Sequence, residues 1–319
     1  MTRACSRQAE GTPGSERAAP RAGPEGPQLI CISLDVDSVA LAPEDRMTKE
    51  CDLYDTHYSS LLTDVQVEVR RETYDEDFGQ ASWIMGQEAR AWFELLAVGP
   101  GQDALEVACG SGGLTCRMAK DTGARCVGVD INPHGIEAAI LLAQHEDLSS
   151  RVSFEVVDAG SALPFQNESF DGVFCNDSVN HLPGRLDVFQ DWHRVLRPGG
   201  RLLFTDPIVV TGQLSNDEIR ARASIGYFLF TPQGHNERLL EQVGFIVQEV
   251  RDVTAAMASV SGKWREARAR RRDRLEALEG EERFEGLQRF LDAVWTLASE
   301  RRLSRYMYFA TKRALPVDA

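Results

Sequence analysis

The sequence predicts an α/β protein: a mostly parallel sheet of seven strands with helices on both faces, a helical segment ahead of it and helical cap insertions behind. Three observations carry that prediction. Short apolar runs alternate with helix-length stretches between Asp103 and Thr205, the pattern of βαβ units joined by right-handed crossovers. A glycine-rich turn, Gly110-Ser111-Gly112-Gly113, follows the first of these runs directly. Beyond Asp206-Pro207 the alternation stops, and long helical stretches precede two final strand-like runs.

The first 28 residues are rich in Ala, Gly, Pro, Arg and Glu and carry almost no large apolar side chain. Such a segment cannot bury enough surface to offset its chain entropy. Residues 1–46 are therefore expected to be disordered, or a non-native extension ahead of a start at Met47, with one strand-like run at 30–34. Residues 47–98 form a helical segment expected to cover the ligand site. There Tyr54, Tyr58, Leu61 and Leu62 recur at helix spacing, as do Trp83, Met85, Ala89, Trp92, Phe93 and Leu96. A polar, aromatic loop at 74–83 separates the two groups.

Residues 99–207 hold the core. Its strands are read at 103–109, 125–131, 152–158, 170–175 and 201–205, and its helices at 113–122, 133–146 and 185–196. The run Arg197-Pro198-Gly199-Gly200 ends the last of these helices. Residues 208–319 are expected to form a helical cap together with the final two strands of the sheet. Helical stretches fall at 216–230, 236–243 and 255–303, and strands at 245–253 and 305–311. The helical insertion between these two strands is placed over the active edge of the sheet.

The chain carries 35 Lys and Arg against 49 Asp and Glu, a formal charge of −14. An acidic chain repels phosphate backbones, which argues against nucleic acid as a partner. The arginine run Arg265, Arg268, Arg270, Arg271, Arg272 and Arg274 reads either as a solvated helix face or as a contact for an acidic substrate or partner. Seven cysteines form no Cys-x-x-Cys pair, as befits a reduced, cytoplasmic compartment. No stretch reaches the roughly 20 apolar residues of a membrane span, so no membrane partner is expected. No His, Asp and Glu cluster has metal-ligand spacing, and no metal is expected. Oligomeric state is not legible.

The glycine turn lies at the C-terminal end of the first strand, where open α/β sheets bind ligands. Asp130, 20 residues after Gly110, ends the second strand, the place from which a carboxylate accepts from the hydroxyls of an adenosine ribose. A dinucleotide would be held the same way. However, Thr115 occupies the third glycine position of Gly-x-Gly-x-x-Gly, and Glu106 sits four residues ahead of Gly110. A buried acid there disfavours a pyrophosphate and suits a ligand with an ammonium and a sulfonium charge. Asp158 ends the third strand, placed to accept from an adenine amino group, and Asn176 follows the fourth. Trp83 is an aromatic wall for a sulfonium or a core residue.

Residues 103–207 resemble the core of the class I, Rossmann-like S-adenosylmethionine-dependent methyltransferases. The glycine turn, Asp130, Asp158 and the Pro198-Gly199-Gly200 turn stand in order, with Ala108 where the family commonly has glycine. The resemblance implies S-adenosylmethionine as methyl donor. It places Ala108, Gly110 and Gly112 along the methionine moiety, Asp130 on the ribose and Ile131 against the adenine. Asp158 and the Ala159 amide would read the adenine edge, and Asn176 and His181 would flank the transferring methyl. Asp130 is also readable as a helix cap, because Asn132-Pro133 follows it.

The expected activity is methyl transfer to a nitrogen, oxygen or activated carbon of a small metabolite. His181 or His235 would take a proton where the acceptor carries one. The fourth strand ends in Asn176-Asp177-Ser178-Val179 and not in the Pro-Pro-Tyr signature of amino-methylating enzymes of DNA bases and protein glutamines. The helical inserts resemble those of glycine, sarcosine, dimethylglycine and phosphoethanolamine N-methyltransferases and of quinone-pathway C-methyltransferases. A nicotinamide-dependent oxidoreductase and a non-catalytic nucleoside-binding module stay open as alternatives.

Overall fold

In a computed structural model that describes residues 58 and 60–314, the strands and helices alternate as the apolar periodicity requires. The readings at 1–46 and 49–57, with the run at 30–34 and Tyr54, lie outside the described residues. Helix α1 (Asp64–Thr73) and helix α2 (Gly86–Leu96) precede the sheet. Then come β1 (Asp103–Val107), α3 (Gly113–Thr122), β2 (Arg125–Asp130), α4 (Pro133–His145), β3 (Val152–Val156), β4 (Phe170–Cys175), α5 (Arg185–Val195) and β5 (Leu196–Val210). The remainder is α6 (Asn216–Arg222), the two-residue β6 (Thr231–Pro232), α7 (His235–Val243), β7 (Phe245–Asp252), α8 (Thr254–Ala269), α9 (Arg272–Glu279), α10 (Glu281–Ser299) and β8 (Leu303–Lys312).

The seven principal strands lie in the order β3-β2-β1-β4-β5-β8-β7, with β6 added beside β5. All ladders are parallel except those of β8, which runs antiparallel to both β5 and β7. The order reverses beside β1, whose neighbours are β2 and β4, so the loops after β1 and β4 open a crevice at the strands' C-terminal edge. Alternation at period two feeds two cores. Leu105 and Val107 join Val173, Phe189 and Trp192 on the face covered by α5 and α7. Ala104 joins Phe174, Leu203, Met118 and Trp92 on the face covered by α2, α3 and α4.

A third core lies under the cap, where Val69, Trp83, Met257, Val260, Phe290 and Val294 pack together. It shows that α1 belongs with the cap helices and α2 with the sheet, so the segment before β1 is divided between two layers. Half of the arginine run ties α1 to the cap, although Arg270 and Arg274 remain about half exposed on the helix face. Arg274 and Arg271 reach Glu68 at 2.8 and 2.9 Å, and Arg270 reaches Glu72 at 2.6 Å.

Several boundaries differ from the sequence reading. Helix α2 starts at Gly86, leaving Trp83 and Met85 in the incoming loop, because the Asp75 carboxylate accepts from the Gly86 and Gln87 amides at 2.7 and 3.2 Å. Strand β5 begins at Leu196 and runs through the Pro-Gly-Gly turn, with a register shift against β4 and Gly199 at φ +78°. Helix α6 stops at Arg222, short of Phe230. Residues 223–230 are held instead by tertiary bonds: the Leu229 amide donates to the Asn180 carbonyl at 2.9 Å, and the Tyr227 carbonyl pairs with His181.

Candidate active site

The turn after β1 folds as it does because three of its residues adopt left-handed backbone: Ala108 at φ +58°, Gly110 at +55° and Gly112 at +73°. The glycines serve different neighbours. A Cβ on Gly110 would lie 2.7 Å from the Tyr58 hydroxyl, whereas one on Gly112 would meet the Ala139 Cβ and the Phe154 ring at 2.6 Å. Gly112 therefore lets helix α3 settle on α4 and β3. It does not border the cavity, unlike Ala108 and Gly110. Gly113 lies against the Phe78 backbone carbonyl, closer than any side chain would allow, and Ser111 Oγ donates to the Gly79 carbonyl at 3.1 Å. The loop at 74–83 is thus seated directly on the glycine turn.

Asp130 ties this turn to the next one. Its two carboxylate oxygens accept from the Gly110 amide at 2.8 Å and the Asn132 amide at 2.9 Å, and burial raises its pKa. Asn132, not Asp130, caps α4, accepting from the His134 and Gly135 amides at 2.9 and 3.0 Å. A carboxylate offers about four acceptor positions, so these backbone donors do not exhaust its capacity to accept. Glu106 is buried behind the turn, and burial pushes its carboxyl up to about 8. Thr115 Oγ1 donates a hydrogen bond to it. The residue that replaces the third dinucleotide glycine is therefore the partner of the acid.

Asp158 stands two residues beyond β3, exposed, accepting from the Gly160 amide at 2.9 Å and Ser161 Oγ at 3.2 Å. Ile131, 40% exposed, and Ala159 border the cavity with it. Asn176 donates from Nδ2 to Ser82 Oγ at 2.8 Å and accepts at Oδ1 from Arg305 Nη2 at 3.3 Å. Behind it lies a cluster the sequence reading missed. Fully buried Arg305, on β8, donates to Asp177 at 2.6 Å and to Glu88 at 2.6 Å. Asp177 also accepts from the Trp83 amide at 2.9 Å, which fixes the Trp83 loop against the end of β4. The available signal was an arginine in an otherwise apolar strand pattern.

His181 closes a short 3-10 turn, Val179–His181, beside the cavity. Its Nδ1 is 2.7 Å from the Tyr227 carbonyl oxygen, which makes Nδ1 the protonated nitrogen. Phe228 packs on the ring at a centroid distance of 4.5 Å, and burial lowers the pKa to about 4. His235, the other expected base, is the first residue of α7 and does not border the cavity. It adjoins Asn236, which binds Asp206 at 3.0 Å in a buried cluster with Arg185.

The cavity has a volume of about 1280 Å³. That exceeds the range of single small-ligand pockets, roughly 300–1,000 Å³. It runs from Asp130 and Asp158 past Asn176 and His181 into a chamber walled by Trp83, Trp264, Phe228 and Phe290 of the loop and cap. The arrangement can hold two molecules in line, with the charged residues of the turn at one end and aromatic surface at the other. Among the described residues no three His, Cys, Asp or Glu side chains converge on a metal-sized point, and no helix is long and apolar enough to cross a membrane.

Residues 105–204 match a family model described as a methyltransferase domain. The chain is 32% identical over 209 residues to the O-methyltransferase rstn1 of Aspergillus nomiae, a match covering 63% of this chain and 90% of that protein. It is 34% identical over 168 residues to the methyltransferase GfsG of Streptomyces halstedii, covering 51% of this chain and 59% of that one. Among solved structures, phosphoethanolamine N-methyltransferase 2 of Haemonchus contortus, in complex with phosphomonomethylethanolamine and S-adenosylhomocysteine, superposes with a TM-score of 0.67. That match has 22% identity and covers 82% of this chain and 60% of the other, so it speaks for the fold alone.

Proposed function

The chain belongs to the class I S-adenosylmethionine-dependent methyltransferases, and from that premise we propose that it methylates a hydroxyl oxygen of a largely apolar metabolite, with His181 receiving the proton. Methyl transfer from S-adenosylmethionine is the activity of the family, which disfavours both the nicotinamide-dependent oxidoreductase and the non-catalytic module. The observation that carries the oxygen reading is the junction of the cavity. A neutral imidazole, its Nδ1 committed to the Tyr227 carbonyl, stands between the donor end and an aromatic chamber.

The residues present fit the donor. Buried Glu106 and the turn at 108–111 suit its amino-acid end, Asp130 its ribose, and exposed Ile131 with Asp158 and the Ala159 amide its adenine. When bound, S-adenosylmethionine supplies an electrophilic methyl group with a neutral thioether as leaving group. The protein's share is then alignment and exclusion of water. Asn176, held by Ser82 and Arg305, and Trp83, held by Asp177, border the junction where the methyl would pass. A base with a pKa near 4 does not ionise a hydroxyl beforehand. His181 instead accepts the proton at Nε2 as the oxygen–carbon bond forms.

The test is turnover with an acceptor panel, read as release of S-adenosylhomocysteine and by mass spectrometry of the product. Hydroxylated aromatic and polyketide-like acceptors should be methylated on oxygen. Turnover confined to phosphoethanolamine, glycine or other amines would overturn the reading.

A further inference from the structure

Two buried arginines border the cavity on its cap side, where Glu279, Glu281 and Glu282 also line it. Arg222, which ends α6, and Arg268, in the last turn of α8, are each 1% exposed, and both border the cavity. The Arg222 guanidinium lies over the Phe228 and Phe290 rings at 4.6 and 5.0 Å. Arg268 lies over Phe284 at 5.2 Å and donates from Nη2 to Glu279. Its Nε is shut off from solvent and has no hydrogen-bond partner.

A structural ion pair accounts for the Glu279 edge of this guanidinium and leaves the Nε edge unexplained. An unsatisfied donor on a buried cation is destabilising, so a protein that only needed the space filled would place an apolar side chain there. One helical turn away on the same face, Trp264 joins the aromatic wall. Its ring is 6.1 Å from that of Trp83, which is stacked on Phe290 at 6.3 Å with an interplanar angle of 28°.

Resting on the methyl-transfer reading, we propose that the chamber takes an acceptor with a flat or extended apolar body and one oxyanion group, a carboxylate or phosphate monoester, received by the Nε edge of Arg268. The aromatic wall matches the body, and the guanidinium fixes which end of it faces the donor. A neutral apolar molecule leaves Nε unsatisfied, and a small zwitterion such as phosphoethanolamine leaves the aromatic wall uncovered.

The experiment uses the full chain. S-adenosylhomocysteine is titrated first by calorimetry; failure to bind sinks the donor reading itself. The loaded protein is then titrated with 2-naphthoate, 2-naphthyl phosphate, neutral 2-naphthamide and phosphoethanolamine, followed by quenching of tryptophan emission. One of the two naphthyl anions should bind at least about tenfold more tightly than the amide, and which one does so distinguishes carboxylate from phosphate. Arg268→Met should bring anion and amide within about twofold of each other while S-adenosylhomocysteine affinity stays unchanged. Because that variant strands Glu279, Arg268→Met combined with Glu279→Gln repeats the measurement without a buried unpaired charge. With S-adenosylhomocysteine bound, equal affinity for anion and amide, tighter binding of phosphoethanolamine, or an anion preference that survives both variants overturns the proposal.

Discussion

Arg305 donates from Nε to Asp177 at 2.6 Å across 128 residues of sequence, and both side chains are buried. The pair joins the C-terminal strand to the loop that carries Trp83, since the other Asp177 oxygen accepts from the Trp83 amide. Removing one partner leaves a buried carboxylate uncompensated. Arg305→Met should therefore destabilise the protein by about 3–5 kcal/mol in urea unfolding. Arg305→Met with Asp177→Asn should recover part of that loss. If the pair also positions the loop at the donor, the double variant stays slow in turnover after its stability returns.

Burial of Glu106 makes a prediction about pH. Its folded-state pKa is raised from 4.5 to about 8, so the folded chain binds more protons than the unfolded chain between those values. Stability from this group is therefore unaffected below about pH 4.5, falls as pH rises through the window and levels off above pH 8. Glu106→Gln should flatten that fall and raise the midpoint of thermal unfolding at pH 9. The same variant should weaken S-adenosylmethionine binding, because an ammonium group favours the ionised acid. In the wild type, donor affinity measured by calorimetry should rise between pH 6 and 8. Affinity that is flat over that range would remove Glu106 from the amino-acid end of the donor.

The glycine turn gives a contrast between adjacent residues. Ala108 holds a left-handed backbone with a Cβ in place, at φ +58°. Ala108→Gly should stabilise the protein by about 1 kcal/mol with turnover kept. Gly112→Ala adds a Cβ against Ala139 and Phe154 at φ +73° and should cost about 1–3 kcal/mol. Gly113→Ala pushes on the Phe78 carbonyl, so its main effect should be on donor affinity through the displaced 74–83 loop. Equilibrium unfolding and donor titration on the three variants separate these outcomes.

What the sequence made legible follows from the range of the forces involved. Strands β1 to β4 and helices α3 to α5 are set by local periodicity and by Gly and Pro punctuation, and they lie within a few residues of the expected bounds. Asp130 stood out by its spacing from Gly110. The misses were non-local. Arg305 draws its meaning from Glu88, 217 residues away, and Arg270 from Glu72, 198 residues away. The helix expected to run to Phe230 fails because the 223–230 segment bonds to residues 180 and 181, partners that a pattern of nearest neighbours does not contain. His235 was singled out as a residue type, and only its position at the head of α7, off the cavity wall, separates it from His181.

That separation can be measured. His181→Gln should lower kcat by about a hundredfold or more. Donor affinity should change little, since the imidazole acts on the acceptor's proton, and His235→Gln should leave kcat near that of the wild type. The pH profile supplies an independent check. Burial lowers the His181 pKa from 6.5 to about 4, so the imidazole is neutral throughout the neutral range, and its protonation should not limit turnover until pH approaches 4. The unfolded chain binds the extra proton first, so stability from this group is complete above pH 6.5 and is lost as pH falls towards 4. The His181→Gln variant should therefore lose less stability than the wild type between pH 6.5 and 4. If kcat of the variant is unchanged and an acid limb of the wild-type profile falls near pH 6.5, the proton acceptor is another group.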